Sequence, residues 1–314
     1  MKIAVTGCAG FIGSNFARYL LNKYPKDWVI GIDCLTYAAS PEALSILRDY
    51  SRFSFYKADI TDPREMDRVF SAERPDVVIN FAAESHVDNS ISDSTPFLKT
   101  NIFGVKVLLD ACLCHGVSRF HQISTDEVYG DLQLDSVARF DEQSAIQPSS
   151  PYSVSKAAAD LLALSYARTY GLEVSISRSS NNYGRFQHRE KLIPKTVHAL
   201  VNGSPVTLYG DGSNVRDWLY VTDHCSAVDL IIRAGKCGIY NISADNEWSN
   251  IDLVKKIMSL LGLPDGELAF VNDRPGHDRR YSIDSSKIRS LGWQPRADFV
   301  TELRDTVEWY KNRT

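Results

Sequence analysis

Residues 2–13 read Lys2-Ile3-Ala4-Val5-Thr6-Gly7-Cys8-Ala9-Gly10-Phe11-Ile12-Gly13, and Asp33 lies twenty residues beyond Gly13. Lys2 to Thr6 is short and β-rich, as a buried strand requires. Glycines spaced G-x-x-G-x-x-G allow a tight turn, close approach of a pyrophosphate and close helix–strand packing. Phe16, Leu20 and Leu21 mark the apolar side of a helix that opens directly behind them. The free N–H groups at its start would face the phosphates. Trp28 to Ile32 predicts a second strand, and Asp33 at its end can accept both ribose hydroxyls of an adenosine, which favours NAD over NADP. The expected fold class is α/β: a Rossmann-type, doubly wound parallel sheet with a smaller, interleaved substrate-binding lobe.

Further strands are expected at Phe53 to Tyr56, Asp76 to Phe81, Arg119 to Ser124 and Leu172 to Ser177. Asp59, beside Ile60, could reach the adenine edge, or cap the helix that starts near Pro63. Ala82 and Ala83 are small enough for a cofactor to lie against their backbone. His86 could be catalytic, but reads better as a structural or supporting histidine, since only site geometry can assign such a role. Thr95 to Cys114 has helical apolar spacing.

Composition narrows the class. Hydrophobic content is 44% and charged content 24%, ordinary for a globular protein. A net charge of −4 gives no footprint for nucleic acid, so an anionic ligand must be held by local groups. No apolar run reaches membrane-spanning length. Six scattered cysteines show neither zinc nor redox spacing, so no metal is expected and the thiols read as reduced. The first strand follows Met1 at once, so no signal peptide is expected and the compartment is the cytoplasm.

Residues 120–130, Phe120-His-Gln-Ile-Ser-Thr125-Asp126-Glu127-Val-Tyr-Gly130, end an apolar segment on three residues that can hold or move protons. Sites form where strands of an α/β sheet end. Adjacent carboxylates push one pKa up, a way to keep an acid beside a base. Tyr152 and Lys156 are four apart in the next helix and share a face. A tyrosine with a pKa of about 10 is a poor base. The Lys156 ammonium and the positive nicotinamide of an oxidised cofactor would both favour its phenolate.

The glycine spacing resembles that of the extended short-chain dehydrogenase/reductase superfamily. Ser-Thr-Asp-Glu-Val-Tyr-Gly (124–130), with Tyr152 and Lys156, is similar to the nucleotide-sugar 4,6-dehydratases, in particular those acting on dTDP-glucose. Ala-Ala-Glu-Ser-His-Val-Asp (82–88), Asn-Val-Arg-Asp-Trp-Leu-Tyr-Val (214–221) and Arg-Pro-Gly-His-Asp-Arg-Arg-Tyr (274–281) extend the likeness over the whole chain. The Asp–Glu pair separates this family from epimerases that share Tyr-x-x-x-Lys, so a 4-epimerase is the weaker alternative. The same chemistry on another nucleotide-hexose, such as UDP-glucose, is the nearer one.

The resemblance implies the chemistry. Tyr152 takes the C4 hydroxyl proton while hydride passes to NAD. Glu127 removes the C5 proton, and Asp126 protonates the departing C6 hydroxyl. Hydride then returns to C6. Thr125 bonds the C4 oxygen, and Lys156 tunes Tyr152 and binds the nicotinamide ribose. Asn181, in a polar loop over 178–184, is implied at the diphosphate. Arg216 is the best diphosphate ligand by geometry, because a guanidinium grips two oxygens at once. Arg274 and His277 are further candidates there. Ser85, Glu190 and Lys191 complete the implied substrate contacts, and Glu190 to Pro194 opens a helix covering the nucleotide. The expected division is an NAD-binding domain over 1–178, to which 217–242 returns, and a nucleotide-sugar lobe over 179–216 and 243–314. Helices at Ile251 to Leu261, Ser285 to Leu291 and Phe299 to Tyr310 are assigned to that lobe. Helices 95–114 and 152–170 carry wide apolar faces, through which the family forms a homodimer.

Five places depart from the family pattern: Asn89, Arg185, Arg189, Thr207 and Ala39-Ser40. None falls on the catalytic set. All are expected to touch the nucleotide or a loop over the cofactor.

Overall fold

A computed structural model describes residues 1–263 and 266–314. Seven parallel strands form the large sheet: β1 (Lys2–Thr6), β2 (Trp28–Asp33), β3 (Phe53–Lys57), β4 (Val77–Asn80), β5 (Arg119–Thr125), β6 (Glu173–Ser179) and, later in the chain, β10 (Gly238–Ile242). Their order is β10-β6-β5-β4-β1-β2-β3. The chain winds outward from β1 through β2 to β3, then restarts with β4 on the other side of β1. The crevice at that reversal, beyond the carboxyl ends of β1 and β4, is where such sheets bind ligands.

Alternate residues of the strands feed two cores. Ile3, Val5 and Val29 pack with helices Phe11–Lys23 and Val221–Arg233. Ala4, Ile30 and Ile32 pack with helices Pro63–Glu73, Val105–His115 and Pro151–Tyr170. A third core holds the small lobe, around Ile193, Leu208, Trp218, Ile257 and Leu303. Its strands are β7 (Asn181–Tyr183), β8 (Val206–Tyr209), β9 (Val215–Tyr220), β11 (Glu247–Ser249) and β12 (Leu268–Val271). They form a β11-β9-β7 sheet and a β12-β8 pair.

Four local expectations change. The segment read as a polar loop contains β7, which pairs with β9, because Asn182 and Tyr183 are buried. The 95–114 helix is not uniform: Leu98–Gly104 is a π-helical stretch, in which Asn101 turns inward to bond the backbone of Glu84 and the Ser155 hydroxyl. Asp62, not Asp59, caps the helix at Pro63; Asp59 closes its own turn onto the Thr61 N–H at 2.8 Å. The helix Ser286–Arg289 belongs with the large sheet, since Ile288 and nearby Trp293 pack into its core.

Candidate active site

Gly7 has φ +65, and a methyl there would lie 2.7 Å from the Ala82 nitrogen. The turn after β1 therefore approaches the backbone beyond β4 too closely for any side chain at position 7. A methyl on Gly13 would lie 2.2 Å from the Gly7 carbonyl. At Gly10 a methyl would meet only that carbonyl, and its other side faces open cavity. A side chain there would fill the space that a pyrophosphate needs, so the cradle fits a dinucleotide.

Three cavities join into one trench. One of about 450 Å³ is lined by Gly7, Gly10, Asp33, Asp59, Ile60, Ala82 and Ala83. The next, about 260 Å³, adds Phe11, Ile12, Gly13, Thr125, Asp126, Tyr152 and Lys156. The third, about 420 Å³, holds Arg216, Arg274 and His277. Ser85, Glu127, Asn181, Glu190 and Lys191 border both the second and the third. All the site residues read from sequence thus line the trench.

Asp33 accepts the Ala9 N–H at 2.9 Å and the Leu35 N–H at 2.8 Å. Asp33 lines the first cavity, and each oxygen, having accepted one bond, can accept a second from a ribose hydroxyl.

The proton-handling residues come from two elements. Helix Pro151–Tyr170 starts with a capping box between Ser150 and Ser153, with Pro151 in its first turn. Tyr152 and Lys156 therefore sit in rigid helix close to its start. Asp126 and Glu127 open a single 3₁₀ turn, Asp126–Tyr129, capped by Thr125, whose hydroxyl accepts the Glu127 N–H. The turn closes on Gly130, at φ +90, where a methyl would lie 2.4 Å from the Gln147 carbonyl.

The two carboxyls have unequal surroundings. Burial, then the charge of Glu127, pushes Asp126 well above the usual carboxylate range, and its Oδ2 is buried with no partner among the described residues. Glu127 is raised by burial too, but Arg274, Arg216 and Lys191 pull it back. Such a pair holds one neutral acid and one carboxylate more readily ionised.

Tyr152 corrects an expectation. Burial, then Glu127 and Asp126, pushes its hydroxyl far up, and only the Thr125 hydroxyl is placed to lower it. The Lys156 ammonium is instead committed to the Ile123 carbonyl at 2.5 Å, and burial pushes its pKa down to about 8. The nearby charges are carboxylates, so the chain alone keeps Tyr152 protonated.

The third cavity gathers Arg189, Lys191, Lys195, Arg216 and Arg274 in an overall acidic protein. Arg216 is buried, and its guanidinium carbon lies 4.2 Å from the Tyr281 ring centre. Its bonds go to the neutral carbonyls of Val215, Asp278 and Arg279, which leave its charge to act on the cavity. Arg274 reaches Asp88 at 3.2 Å, and its Nε is buried without a described partner. His277 bonds Asp273 at 2.5 Å, edge-on to the Tyr209 ring. His86 caps the helix Val87–Ser92 and lies 3.6 Å from Glu190.

Sequence reading missed Asp88, Tyr209, Gln187 and Tyr281 as lining residues. Asp88 and Tyr281 fall inside stretches already singled out. Tyr209 ends the Val206 to Tyr209 stretch, expected from sequence as a short strand beside the nucleobase; Gln187 carries no local signal. Among the departures, Arg189 and Thr207 line the third cavity and Ala39 the first. Asn89 and Arg185 line none of the three.

The fold, the glycine turn and the Tyr152/Lys156 pair place the chain among the extended short-chain dehydrogenases/reductases. More narrowly, it belongs to the family described as GDP-mannose 4,6 dehydratase, whose model matches residues 4–306. The chain is 48% identical to the dTDP-glucose 4,6-dehydratase of Haemophilus influenzae, covering 99% of this chain and 98% of that one. It is 46% identical to the low-salt glycan biosynthesis protein Agl12 of Haloferax volcanii, with 99% and 98% covered. The crystal structure of DesIV, a dTDP-glucose 4,6-dehydratase from Streptomyces venezuelae with NAD and TYD bound, superposes with a TM-score of 0.95 at 43% identity, covering 99% of this chain and 97% of that one.

Proposed function

We propose that this protein is a hydro-lyase that dehydrates dTDP-glucose to dTDP-4-keto-6-deoxyglucose with NAD as its resident cofactor. The observation that carries the reading is the asymmetric pair: buried Asp126, pushed well above the usual carboxylate range, beside cation-flanked Glu127, where the two cavities meet. An epimerase has no use for both.

Bound NAD supplies the oxidation at C4 and the later reduction at C6. Tyr152 removes the C4 hydroxyl proton, with the Thr125 hydroxyl beside it on the C4 oxygen. Lys156 holds the nicotinamide ribose, and the positive charge that favours the Tyr152 phenolate would come from the nicotinamide. Glu127 takes the C5 proton, which a 4-keto group has made acidic, and C5 is reprotonated once hydride has returned to C6. Asp126 gives its proton to the C6 hydroxyl as it leaves. Arg216 and Arg274 hold the diphosphate, with Asn181, Lys191 and His277 around it, while Ser85 and Glu190 lie toward the sugar. The glycine turn, Asp33, Asp59, Ile60, Ala82 and Ala83 hold the dinucleotide.

Residues 1–178 and 217–242 form the cofactor domain, and 179–216 with most of 243–314 forms the nucleotide-sugar lobe. Two copies pair through helices 95–115 and 151–170, which expose Leu98, Phe103, Leu113, Val154 and Leu161. Six unpaired thiols fit a cytoplasmic protein. No helix among the described residues is long and apolar enough to cross a membrane.

Incubation with dTDP-, UDP-, CDP- and GDP-glucose, followed by alkali, tests the reaction and the base together. A 4-keto absorbance is expected with dTDP-glucose. No absorbance with any of the four would refute the reading, and a preference for UDP-glucose would move the substrate while keeping the chemistry.

A further inference from the structure

Behind the catalytic turn lies an ion pair that none of the three cavities reaches. Asp160 sits one helical turn beyond Lys156, and Arg178 sits in β6, in register with Ser124 of β5. Their side chains are 0% and 1% exposed, and Arg178 Nε donates to Asp160 Oδ2 at 2.9 Å. A pair built for strength would be bidentate. Here one bond joins the two, and Asp160 Oδ1 and Arg178 Nη2 are buried with no partner among the described residues. Apolar replacements of such buried pairs are often neutral or stabilising, so stability does not account for this one.

Its placement does. The guanidinium carbon lies 4.8 Å from the centre of the Tyr129 ring. Tyr129 ends the turn that begins at Asp126, and its hydroxyl donates to Asn241 Oδ1 of β10 at 2.8 Å. On the other side, Asp160 and Lys156 share a helix face. We propose that Asp160 and Arg178 are positioning residues: their pair locks the helix bearing Tyr152 and Lys156 to the turn bearing Asp126 and Glu127, and the Asp160 carboxylate holds the Lys156 ammonium in place. This rests on the reaction proposed above. Burial pushes Lys156 down, and Asp160 is the charge that pulls it back.

The test compares the full-length wild type with Asp160→Asn, Arg178→Gln and the double variant, whose two amides can bond as a neutral pair. The readouts are the melting temperature of the cofactor-free protein, and kcat and KM with dTDP-glucose. Each single variant removes one partner of the buried pair and leaves the other without it, and its melting temperature should fall by roughly 6–15 °C. The double variant should regain at least half of that loss. Its kcat should nevertheless stay down about 10- to 100-fold, with KM within about threefold of wild type. A double variant with wild-type kcat would overturn the proposal. So would one whose melting temperature does not recover, because the pair would then be a structural brace. An inactive wild type would count against the reaction instead, and the melting data alone would then decide on the pair.

Discussion

Asp126 and Glu127 are consecutive in the chain, yet only Glu127 borders both the catalytic cavity and the basic one. Asp126 faces the catalytic cavity alone, with one oxygen buried and unpartnered. The two should therefore fail differently. Asp126→Asn mimics the neutral acid and is expected to keep the wild-type melting temperature and retained NAD while losing 4-keto-6-deoxy product. Glu127→Gln should also lose product, together with incorporation of solvent deuterium at C5. Mass spectrometry of the sugar in D2O reads this. Full turnover by Glu127→Gln would remove Glu127 from its role.

Lys156 is a stability cost at neutral pH. Its folded pKa is about 8. The unfolded chain holds the same proton up to about 10.4. Between those limits the unfolded state binds more protons, so stability rises with pH. Below pH 8 the buried charge costs roughly 3 kcal/mol. Lys156→Met removes that cost and strands the Ile123 carbonyl, which offsets about 1 kcal/mol. At pH 7 the cofactor-free variant should melt roughly 4 °C higher than wild type, without turnover. The gain should shrink at pH 10. A lower melting temperature at pH 7 would show that the ammonium is net stabilising.

His121 and His224 give the acid limb a component of the same origin. Burial pushes both down to about 3. His121 lies between the Ser175 and Ser177 hydroxyls, and His224 bonds Asn182. Unfolded, each takes a proton below about 6.5. From there down to about pH 3 the unfolded state binds more protons, and each histidine lowers stability by roughly 1.4 kcal/mol per pH unit. His121→Gln keeps hydrogen-bonding capacity and should flatten the slope of stability against pH between 6 and 4. An unchanged slope in urea titrations would contradict this.

Gly130 and Gly116 make a matched pair. Both have positive φ, but a methyl meets the Gln147 carbonyl at 2.4 Å in the first and nothing within 4 Å in the second. Gly116→Ala should lose about 1 kcal/mol and keep kcat. Gly130→Ala should lose more and also displace the turn that carries Asp126 and Glu127, lowering kcat. Equal effects on kcat would show that the turn tolerates movement.

Leu161 is 56% exposed and Phe103 46% exposed, on the two helices through which two copies are proposed to pair. A Leu161→Arg, Phe103→Arg variant should elute as a monomer, with its mass given by light scattering. An unchanged dimer mass would place the interface elsewhere.

The sequence made local devices legible and missed contacts between distant elements. The glycine turn, Asp33, the Tyr152 helix and the Asp–Glu turn each declare themselves within a few residues, because backbone sterics and spacing demand particular residue types there. The π-helical stretch carries no such mark. It depends on Asn101 finding the Glu84 backbone and Ser155. Asn181–Tyr183 reads as loop because a three-residue strand has no periodicity, and its partner β9 lies more than thirty residues on. Arg178 looks like one more polar residue in a polar run until the fold sets it on Asp160 and Tyr129.

The position of β10 has a consequence for how the protein is made. During synthesis β6 emerges well before the strand that will flank it, and all of β7, β8 and β9 must come between. Until then β6 is a bare parallel edge, the kind that recruits other chains. A fragment ended after β6 would keep the whole dinucleotide cradle and still be expected to aggregate. Anyone wishing to express the cofactor half alone should carry the chain through Ile242 or graft β10 onto the end of β6.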